Sequence, residues 1–399
     1  MPRSTDEKSV VWTESIMDGP RLTALFLLTA GHSALLVAAV NRLHGLPLSH
    51  QLLRQLRHLH DLLLLVIPGW LIWKLRTIDL AHPRECWAKQ PWGIQLFVLW
   101  AGLGLLALAW SIVRYQFRRP CAQLIDTSRA VISAQSATGE RPIGDGPHQW
   151  LARLPFNEQF TIELNHKTLQ LPRLPRAADG LKILHLSDWH FLGTVARPFY
   201  EQATDLALTE PVDLIVFTGD LFDRMELLDW LGSTLGRLQA PLGCHFILGN
   251  HDWNLDHVAI RNALTSLGWN DVAGKTQPID YQTVRIALGG SELPWMGQHP
   301  DFTRVPADFR ILLSHTPDNL AWAQQQPVDL MLSGHNHGGQ VVLPLFGPIF
   351  TPSLQGCRFS GGTFSHAPTL LHVSRGLAGK HPLRWRCRPE ITVLTLRSA

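Results

Sequence analysis

Hydrophobic positions follow two different rhythms along this chain of 399 residues. In the first part, residues 22–40 and 93–113 form two long runs that contain no Asp, Glu, Lys or Arg. Each run is long enough to cross a hydrocarbon core of about 30 Å as a helix. Residues 62–71 form a shorter apolar segment that contains Pro68, and this segment either spans by tilting or is re-entrant. The pattern predicts an all-α membrane region over residues 1–120, with two to three transmembrane helices.

The charged residues that flank these runs favour a membrane over a buried bundle of soluble helices, because Arg and Trp concentrate at the ends of spans. Arginines follow the last run and also occupy the loop after the first run (Arg114, Arg118, Arg119, Arg42, Arg54 and Arg57). With three spans both groups share one side, which the positive-inside rule predicts to be cytoplasmic. The other side of the membrane would also carry basic residues, Arg76, Arg84 and Lys89. The difference in positive charge between the two sides is therefore small.

The second rhythm begins after a polar stretch, residues 121–155, whose Gly, Pro and Ser content predicts a linker with an amphipathic segment. From residue 156 to the end, short runs rich in Leu, Ile and Val alternate with helical stretches. Apolar runs of this length, bounded by turn residues, are typical of buried strands. Five such runs are residues 181–186, 212–217, 245–248, 309–313 and 328–332. This alternation predicts a layered α/β domain over residues 156–399.

Composition narrows the classes of function. The formal net charge is only +3 and no long run of Lys or Arg occurs, so nucleic acid is not expected as a partner. Charged residues make up 17% of the chain, a low share that indicates a large core or membrane contact. The 5 cysteines are widely spaced and form no C-x-x-C pair, which argues against a disulfide framework or a zinc knuckle. Scattered thiols indicate a reducing compartment and favour a cytoplasmic catalytic domain.

Each of the five predicted strands ends at a polar cluster that is able to bind metal. The first cluster supplies Asp188 and His190, and the second supplies Asp220 and Asp223. The third supplies Asn250, His251 and Asp252, the fourth His315, and the fifth His335 and His337. The carboxyl ends of strands in open α/β sheets meet in one crevice, so we expect these side chains to lie close together. Asp, His and Asn ligands without Cys suit Mn²⁺, Fe or Zn²⁺. The clusters predict a centre for two divalent metal ions, which a carboxylate is able to bridge.

Local spacing agrees with this prediction. In the pairs Asp188/His190 and His335/His337 the two residues lie two positions apart, so extended backbone would point both side chains to one face. Glycines accompany the second, third and fifth clusters, at positions 219, 249, 334, 338 and 339. We expect them to allow tight turns with positive φ and a close approach of the backbone to the ions.

The series Asp-x-His, Gly-Asp-x-x-Asp, Gly-Asn-His-Asp, His and Gly-His-x-His resembles the signature of the calcineurin-like metallophosphoesterase superfamily, over roughly residues 180–340. The tail, with Gly-His-x-His-Gly-Gly-Gln at 334–340 and Ser-Arg-Gly at 374–376, is similar to a bacterial membrane-associated branch. That branch includes phosphodiesterases and a UDP-2,3-diacylglucosamine pyrophosphatase. The resemblance implies a layered β-sandwich flanked by helices. The apolar runs lie outside the shared signature, and together with the bacterial branch they predict a multi-pass protein of the bacterial inner (cytoplasmic) membrane.

The resemblance also implies a role for each site residue. The first ion would be held by Asp188, His190, Asp220 and His337, and the second by Asn250, His315 and His335, with Asp220 as the bridge. His251 would contact phosphate and protonate the leaving oxygen, a task suited to its near-neutral pKa. Asp252 would orient His251, and Asp223 would support the shell of ligands. Arg375 and Lys380 follow the last ligand and are candidate substrate contacts, and residues 295–302 are a candidate lip.

The hypothesis that follows is a membrane-anchored, binuclear metal-dependent phosphoesterase that hydrolyses a phosphodiester or diphosphate bond. Spans near the site favour an amphiphilic substrate, lipid-linked or a UDP-acylated sugar. The alternative is a membrane-tethered phosphodiesterase or phosphomonoesterase that acts on a soluble substrate. A non-catalytic scaffold would be expected to have lost metal ligands, and none of the series is missing from this chain.

Overall fold

A computed structural model of the chain describes residues 17–78, 83–135 and 137–399. The chain divides into two compact units, one of residues 1–39 and 50–113 and the other of residues 40–49 and 114–399. Hence the last residues of the first helix and the last residues of the fourth belong to the second unit, which also holds every strand among the described residues.

The first unit is helical, and its helices are α1 (Gly19–His44), α2 (His50–Thr77), α3 (Pro83–Lys89) and α4 (Trp92–Gln116). Three helices are long and apolar enough to cross a membrane: Gly19–His44, Gln51–Thr77 and Trp92–Gln116. The short apolar segment 62–71 is therefore the second half of a long helix, with Pro68 inside it. Gly31 and Gly104 let α1 and α4 approach so closely that a Cβ at either position would overlap the partner backbone. Close crossings of this kind are common between membrane helices.

The second unit contains 15 strands in its described part. They are β1 (Leu124–Ser133), β2 (Thr161–Leu171), β3 (Lys182–Leu186), β4 (Leu214–Thr218), β5 (Cys244–Ile247), β6 (Trp269–Asp271), β7 (Thr276–Tyr281), β8 (Val284–Ser291), β9 (Phe309–Ser314), β10 (Leu330–Ser333), β11 (Val342–Leu343), β12 (Gly347–Pro348), β13 (Gly362–His366), β14 (Thr369–Val373) and β15 (Glu390–Ser398). Its helices are α5 (Gln149–Ala152), α6 (Arg197–Leu208), α7 (Trp230–Ser233), α8 (Asn250–Trp253), α9 (His257–Ser266) and α10 (Leu320–Gln325).

Two sheets form a sandwich. The seven-stranded sheet has the order β1-β2-β15-β3-β4-β5-β6, and the six-stranded sheet has the order β13-β14-β10-β9-β8-β7. One apolar cluster joins them, with Val216 from the first sheet and Ile311 from the second among its members. Helices α6 and α9 cover the outer face of the first sheet and α10 that of the second. The predicted layered α/β fold, a β-sandwich flanked by helices, is confirmed.

The central strands run parallel in both sheets: β3 to β6 in the first, and β8, β9, β10 and β14 in the second. Strands that are buried on both faces need continuous apolar sequence, and all five residues of β4 are buried. Because parallel strands end on the same edge, the loops after β3, β4, β5, β9 and β10 share one side of the sandwich.

The structure differs from the predicted linker at residues 121–155. Strand β1 pairs with β2 over residues 124–133 as the antiparallel edge of the seven-stranded sheet, and α5 follows it. Nearly every residue of β1 is exposed, so its sequence lacks the apolar alternation by which strands are recognised. Residues 121–155 are part of the second unit rather than a separate connector.

Candidate metal centre

The structure brings the predicted ligands together at the shared edge of the two sheets. Asp188 and His190 follow β3, Asp220 follows β4, and Asn250 opens α8 after β5. On the second sheet, His315 follows β9, and both His335 and His337 follow β10. Ligand atoms within 4.8 Å of one another define two groups that share Asp220: Asp188, His190, Asp220 and His337, and Asp220, His315 and His335.

Asp220 lies at the junction of these two groups. Its Oδ2 atom is 3.6 Å from Nε2 of His190 on one side and 3.3 Å from Nε2 of His315 on the other. The amide oxygen Oδ1 of Asn250 is 3.1 Å from the same His315 nitrogen. A single carboxylate therefore faces both groups of nitrogen ligands, and Asn250 adds an oxygen to the second.

Each histidine of the centre has one ring nitrogen occupied by a protein acceptor. Nδ1 of His315 donates to the carbonyl oxygen of Thr218 at 2.7 Å, and Nδ1 of His337 donates to that of Ala378 at 3.0 Å. Nε2 of His335 donates to the carbonyl oxygen of Pro352 at 2.6 Å. These bonds fix which ring nitrogen of each histidine faces the cluster, and that nitrogen is the one a metal ion would bind.

The backbone at the centre is left-handed at five of the seven candidate ligands: φ is +54° at Asp188, +48° at His190, +57° at Asp220, +69° at His335 and +49° at His337. Side-chain-bearing residues rarely adopt such φ values, and where they cluster they are held by surrounding structure at functional sites. The structure thus differs from the extended backbone expected for Asp188/His190 and His335/His337. Tight turns, rather than a strand, direct these side chains to one point.

The glycines beside the ligands act in two ways. Gly219, Gly338 and Gly339 have positive φ, as expected. Gly249 and Gly334 are outside the positive-φ set, and at both positions the constraint is space. A Cβ at Gly334 would overlap Ser187 Oγ and Asp188 Oδ2, and one at Gly249 would overlap Asp220 Oδ1.

Burial and neighbouring charges set opposite protonation tendencies on the two carboxylates. Burial raises the pKa of Asp188, against the opposing effect of His315. Burial also acts to raise the pKa of Asp220, but His315 and His251 outweigh it and hold that pKa well below its ordinary value. Asp220 is therefore ionised even without metal, as a bridging ligand must be.

The structure differs from the expectation that Asp252 orients His251. Asp252 is fully buried and accepts backbone N–H groups of Gly249, Leu221 and Phe222, so it holds the loop after β4 against α8. Asp223 contacts His251 instead: its Oδ1 atom is 2.5 Å from His251 Nδ1, and its Oδ2 atom is 2.9 Å from His190 Nδ1. Asp223 therefore contacts both the candidate ligand His190 and the ring of His251.

Arg375 has a different environment from the one expected of a substrate contact. Its guanidinium pairs with Glu390 at 2.8 Å and with Glu163 at 3.3 Å, and its backbone N–H donates to Glu390 as well. Burial acts to lower the pKa of Arg375, but the two glutamates outweigh it and raise that pKa. Lys380 is the exposed cation nearby, close enough to His251 for its positive charge to oppose protonation of that ring.

A buried chain of hydrogen bonds behind the centre was not predicted. Ser187 Oγ donates to Asp188 Oδ2 at 2.5 Å, and Thr218 Oγ1 donates to Ser187 Oγ at 2.7 Å. Behind Thr218 lie His185, His372 and Lys167, each 2.9–3.0 Å from the next. The sequence signal was a polar residue inside an otherwise apolar strand, as at His185 in β3 and His372 in β14.

An aromatic side chain also borders the centre. The ring of Trp295 lies 4.9 Å from that of His335 and 5.7 Å from that of His315. Trp295 comes from the region predicted as a lip. In the same region, His299 stacks on Trp322 at 3.8 Å rather than facing the ligands.

Comparisons with known proteins agree with this geometry. The family profile for calcineurin-like phosphoesterases matches residues 181–339. An uncharacterized metallophosphoesterase of Bacillus subtilis, YkuE, is 34% identical over 61% of this chain and 88% of its own length. The phosphodiesterase YaeI of Escherichia coli is 31% identical over 55% of this chain and 83% of its own. The UDP-2,3-diacylglucosamine pyrophosphatase LpxG of Chlamydia muridarum is 28% identical over 59% of this chain and 90% of its own length.

Proposed function

This chain belongs to the calcineurin-like phosphoesterase family, whose members are hydrolases, and we propose that it uses two divalent metal ions to cleave a phosphodiester or diphosphate bond at a membrane. The observation that carries the proposal is the position of Asp220 between two groups of nitrogen ligands. Histidine ring nitrogens, an ionised carboxylate and an amide oxygen converge there, and Mn²⁺, Fe and Zn²⁺ accept this donor set.

The residues divide between two ions through Asp220. Asp188, His190, Asp220 and His337 would hold one ion, and Asp220, Asn250, His315 and His335 would hold the other. Bound divalent ions supply a water nucleophile of lowered pKa and neutralise charge on the phosphoryl oxygens. The protein contributes the fixed ring orientations and the left-handed turns that hold these donors in place.

His251 is the proton donor in this proposal. Its ring lies 4.6 Å from that of His190, beside the ligand groups and outside them, and it is partly exposed. Asp223 fixes Nδ1, which leaves Nε2 to donate to the leaving oxygen of the substrate. Burial acts against the charged ring, but Asp223 and Asp220 outweigh it and raise the pKa of His251 to about 9.

We place the substrate at the membrane. Three helices are long and apolar enough to span a bilayer, and one relative, LpxG, is named as acting on a diacylated UDP-sugar. A lipid-linked or UDP-acylated-sugar phosphate is therefore the proposed substrate class. The arginines after α4, Arg118 and Arg119, favour a cytoplasmic location of the second unit, which we call the catalytic unit, at the bacterial inner membrane. A reporter fused to the C-terminus, active only in the cytoplasm, checks this orientation.

The test uses the full chain purified in detergent and supplied with Mn²⁺. Initial rates are measured on an aryl phosphodiester, an aryl phosphomonoester and a lipid diphosphate, with bound metal counted by mass spectrometry. We expect two ions per chain, hydrolysis that chelator abolishes, and the highest kcat/KM on the lipid diphosphate. A preference for the aryl esters would instead support a membrane-tethered enzyme with a soluble substrate.

Variants separate the proposed site from a contaminating activity. Asp220→Ala is expected to lose both ions and all activity, and His251→Ala is expected to keep the ions and lose most of its kcat. Asp205→Ala is the matched control, because Asp205 is an exposed carboxylate on α6 that pairs only with Arg237 among the contacts described. Equal rates for wild type and Asp220→Ala would refute the assignment.

A further inference from the structure

A strongly apolar segment follows the last candidate ligand. Residues 341–354 contain no charged residue, and we call this segment the apolar hairpin. Its first half is the β11–β12 pair, with a tip at residues 344–346. Large side chains along it are turned outward, with exposed fractions of 69% for Leu345, 41% for Phe346, 36% for Ile349 and 43% for Leu354. Several large apolar side chains exposed on one short segment are typical of an interaction surface.

The apolar hairpin is fixed to the metal centre. The carbonyl oxygen of Pro352 accepts the Nε2 proton of the candidate ligand His335. Gly339, two residues after His337, packs so closely on Pro348 that an added Cβ would lie 2.5 Å from the proline Cβ. The position of the hairpin is therefore set by the same residues that form the site.

The ends of two long helices contact the same segment within the catalytic unit. Asn41, near the end of α1, donates to the carbonyl oxygen of Ile349 at 3.0 Å and accepts the N–H of Thr351 at 3.2 Å. Gln116, the last residue of α4, donates to the carbonyl oxygen of Leu345 at 2.7 Å. Both helices are long and apolar enough to cross a membrane, so a bilayer boundary near their last turns would lie at the hairpin.

Arginines flank the helix end that contacts the tip: Arg114 and Arg118 lie two residues before and after Gln116, which donates to the carbonyl oxygen of Leu345. Arg42, Arg114, Arg118 and Arg358 are all exposed members of the catalytic unit. Arg114 and Arg358 are close in space, since burial and then the charge of Arg114 lower the pKa of Arg358. Arg118 lies 5.8 Å from the centre of the Phe364 ring. An apolar tip with neighbouring arginines matches a bilayer surface, where apolar groups enter the acyl boundary and cations meet anionic headgroups.

We propose that the apolar hairpin inserts its tip, residues 344–346, into the surface of a bilayer that contains anionic lipids. This inference rests on the proposed membrane location of the enzyme. Insertion would place the rim of the metal centre at headgroup depth, so a lipid phosphate would reach the ligands without leaving the membrane. Burial of the exposed leucine and phenylalanine tip would supply apolar transfer energy in addition to the attraction of the arginines.

The experiment installs a photoreactive benzoylphenylalanine at each of three exposed leucines of the full chain. Leu345 tests the hairpin, Leu103 in α4 tests the membrane location, and Leu208 at the end of α6 is the matched control. The variants are reconstituted in vesicles of phosphatidylglycerol and phosphatidylethanolamine, irradiated, and examined by mass spectrometry for lipid adducts. Circular dichroism and the thermal midpoint establish that each variant is folded.

We expect lipid adducts at Leu345 and Leu103 and none at Leu208, and a lower yield at Leu345 alone when phosphatidylcholine replaces phosphatidylglycerol. Adducts at Leu103 without adducts at Leu345 would overturn the hairpin inference and leave the membrane location standing. The absence of adducts at both positions would overturn both. Adducts at Leu345 with protein but not with lipid would overturn the inference, because the hairpin would then bind a protein rather than a bilayer. An adduct yield at Leu345 that is the same with phosphatidylglycerol and with phosphatidylcholine would refute the requirement for anionic lipids.

Discussion

The Oδ1 atom of Asp223 lies 2.5 Å from Nδ1 of His251, while the other oxygen of the same carboxylate contacts the candidate ligand His190 at 2.9 Å. One side chain therefore connects the proposed proton donor to the metal centre. Asp223 is mostly buried, and the charges of His251 and His190 outweigh the effect of burial and keep its pKa far below the ordinary value. The carboxylate is ionised across the working pH range, so it favours the protonated form of His251.

Asp223→Asn is expected to lower kcat by about 10²-fold, because partners that orient ligands and proton donors contribute on this scale. The alkaline limb of the kcat profile should also move to lower pH. His251 is protonated below its pKa of about 9 and deprotonated above it, and loss of the negative charge of Asp223 lowers that pKa. A pH–rate series on an aryl phosphodiester measures both effects.

Asp252→Asn is the comparison for that variant. Asp252 accepts three backbone N–H groups and does not contact the ring of His251, so its loss should destabilise the loop by about 1–3 kcal/mol. We expect a lower thermal midpoint with the alkaline limb unmoved. If Asp252→Asn shifts the limb and Asp223→Asn does not, the sequence-based role of Asp252 is correct.

The contrast between these two aspartates shows where the sequence was informative. Apolar runs ending in polar clusters predicted β3, β4, β5, β9 and β10 and the convergence of their ligands, because burial leaves a local pattern. The partner of His251 was assigned to its neighbour in sequence, whereas the contact is made by Asp223 from another loop. Strand β1 was missed because its face is exposed. Pairing between distant segments and left-handed turns leave no periodic pattern.

Lys380 and Arg375 should separate substrate binding from folding. Lys380 is exposed near His251, so Lys380→Ala is expected to raise KM by about tenfold through loss of a charge-assisted contact to phosphate, and Lys380→Arg should restore most of it. Arg375→Ala would remove the nearest cation from the buried Glu390 and Glu163, whose remaining cations, Lys167 and Arg129, lie farther away at 3.8 and 3.6 Å. We expect a loss of stability of about 3 kcal/mol. Steady-state kinetics and thermal unfolding of both variants check these predictions. If Arg375→Ala folds and raises KM while Lys380→Ala does not, Arg375 rather than Lys380 contacts the substrate.

The buried histidine chain predicts acid sensitivity. Thr218 uses its hydroxyl proton on Ser187, so His185 must donate through Nε2 and accept from His372 through Nδ1, and both rings are neutral. Burial lowers the pKa of His185 to about 3. Between the unfolded value of 6.5 and about 3, the unfolded state binds more protons, so stability falls as pH decreases. The slope is about 1.4 kcal/mol per pH unit for each such histidine.

Thermal midpoints between pH 7 and pH 4, followed by circular dichroism, measure this dependence. His185→Gln keeps a donor toward Thr218 and removes the titrating ring, so the variant should show a shallower fall in midpoint on acidification. His257, half-buried at the start of α9, provides the control variant His257→Gln. Identical slopes for wild type and His185→Gln would show that the buried ring does not titrate as described.

Gly334 tests whether space, rather than backbone conformation, requires glycine at the metal centre. A methyl group there would overlap Ser187 Oγ and Asp188 Oδ2, which also accepts the N–H of His335. Gly334→Ala should therefore displace Asp188 from the first ligand group, at a cost of about 1–3 kcal/mol and with reduced occupancy of one ion. Gly232→Ala is the control, since a Cβ on α7 at that position meets nothing within 4 Å. Metal counts and thermal midpoints distinguish the Gly334→Ala and Gly232→Ala variants. Full metal occupancy in Gly334→Ala would mean that Ser187 and Asp188 move aside, so that the close packing of this turn does not position the ligand.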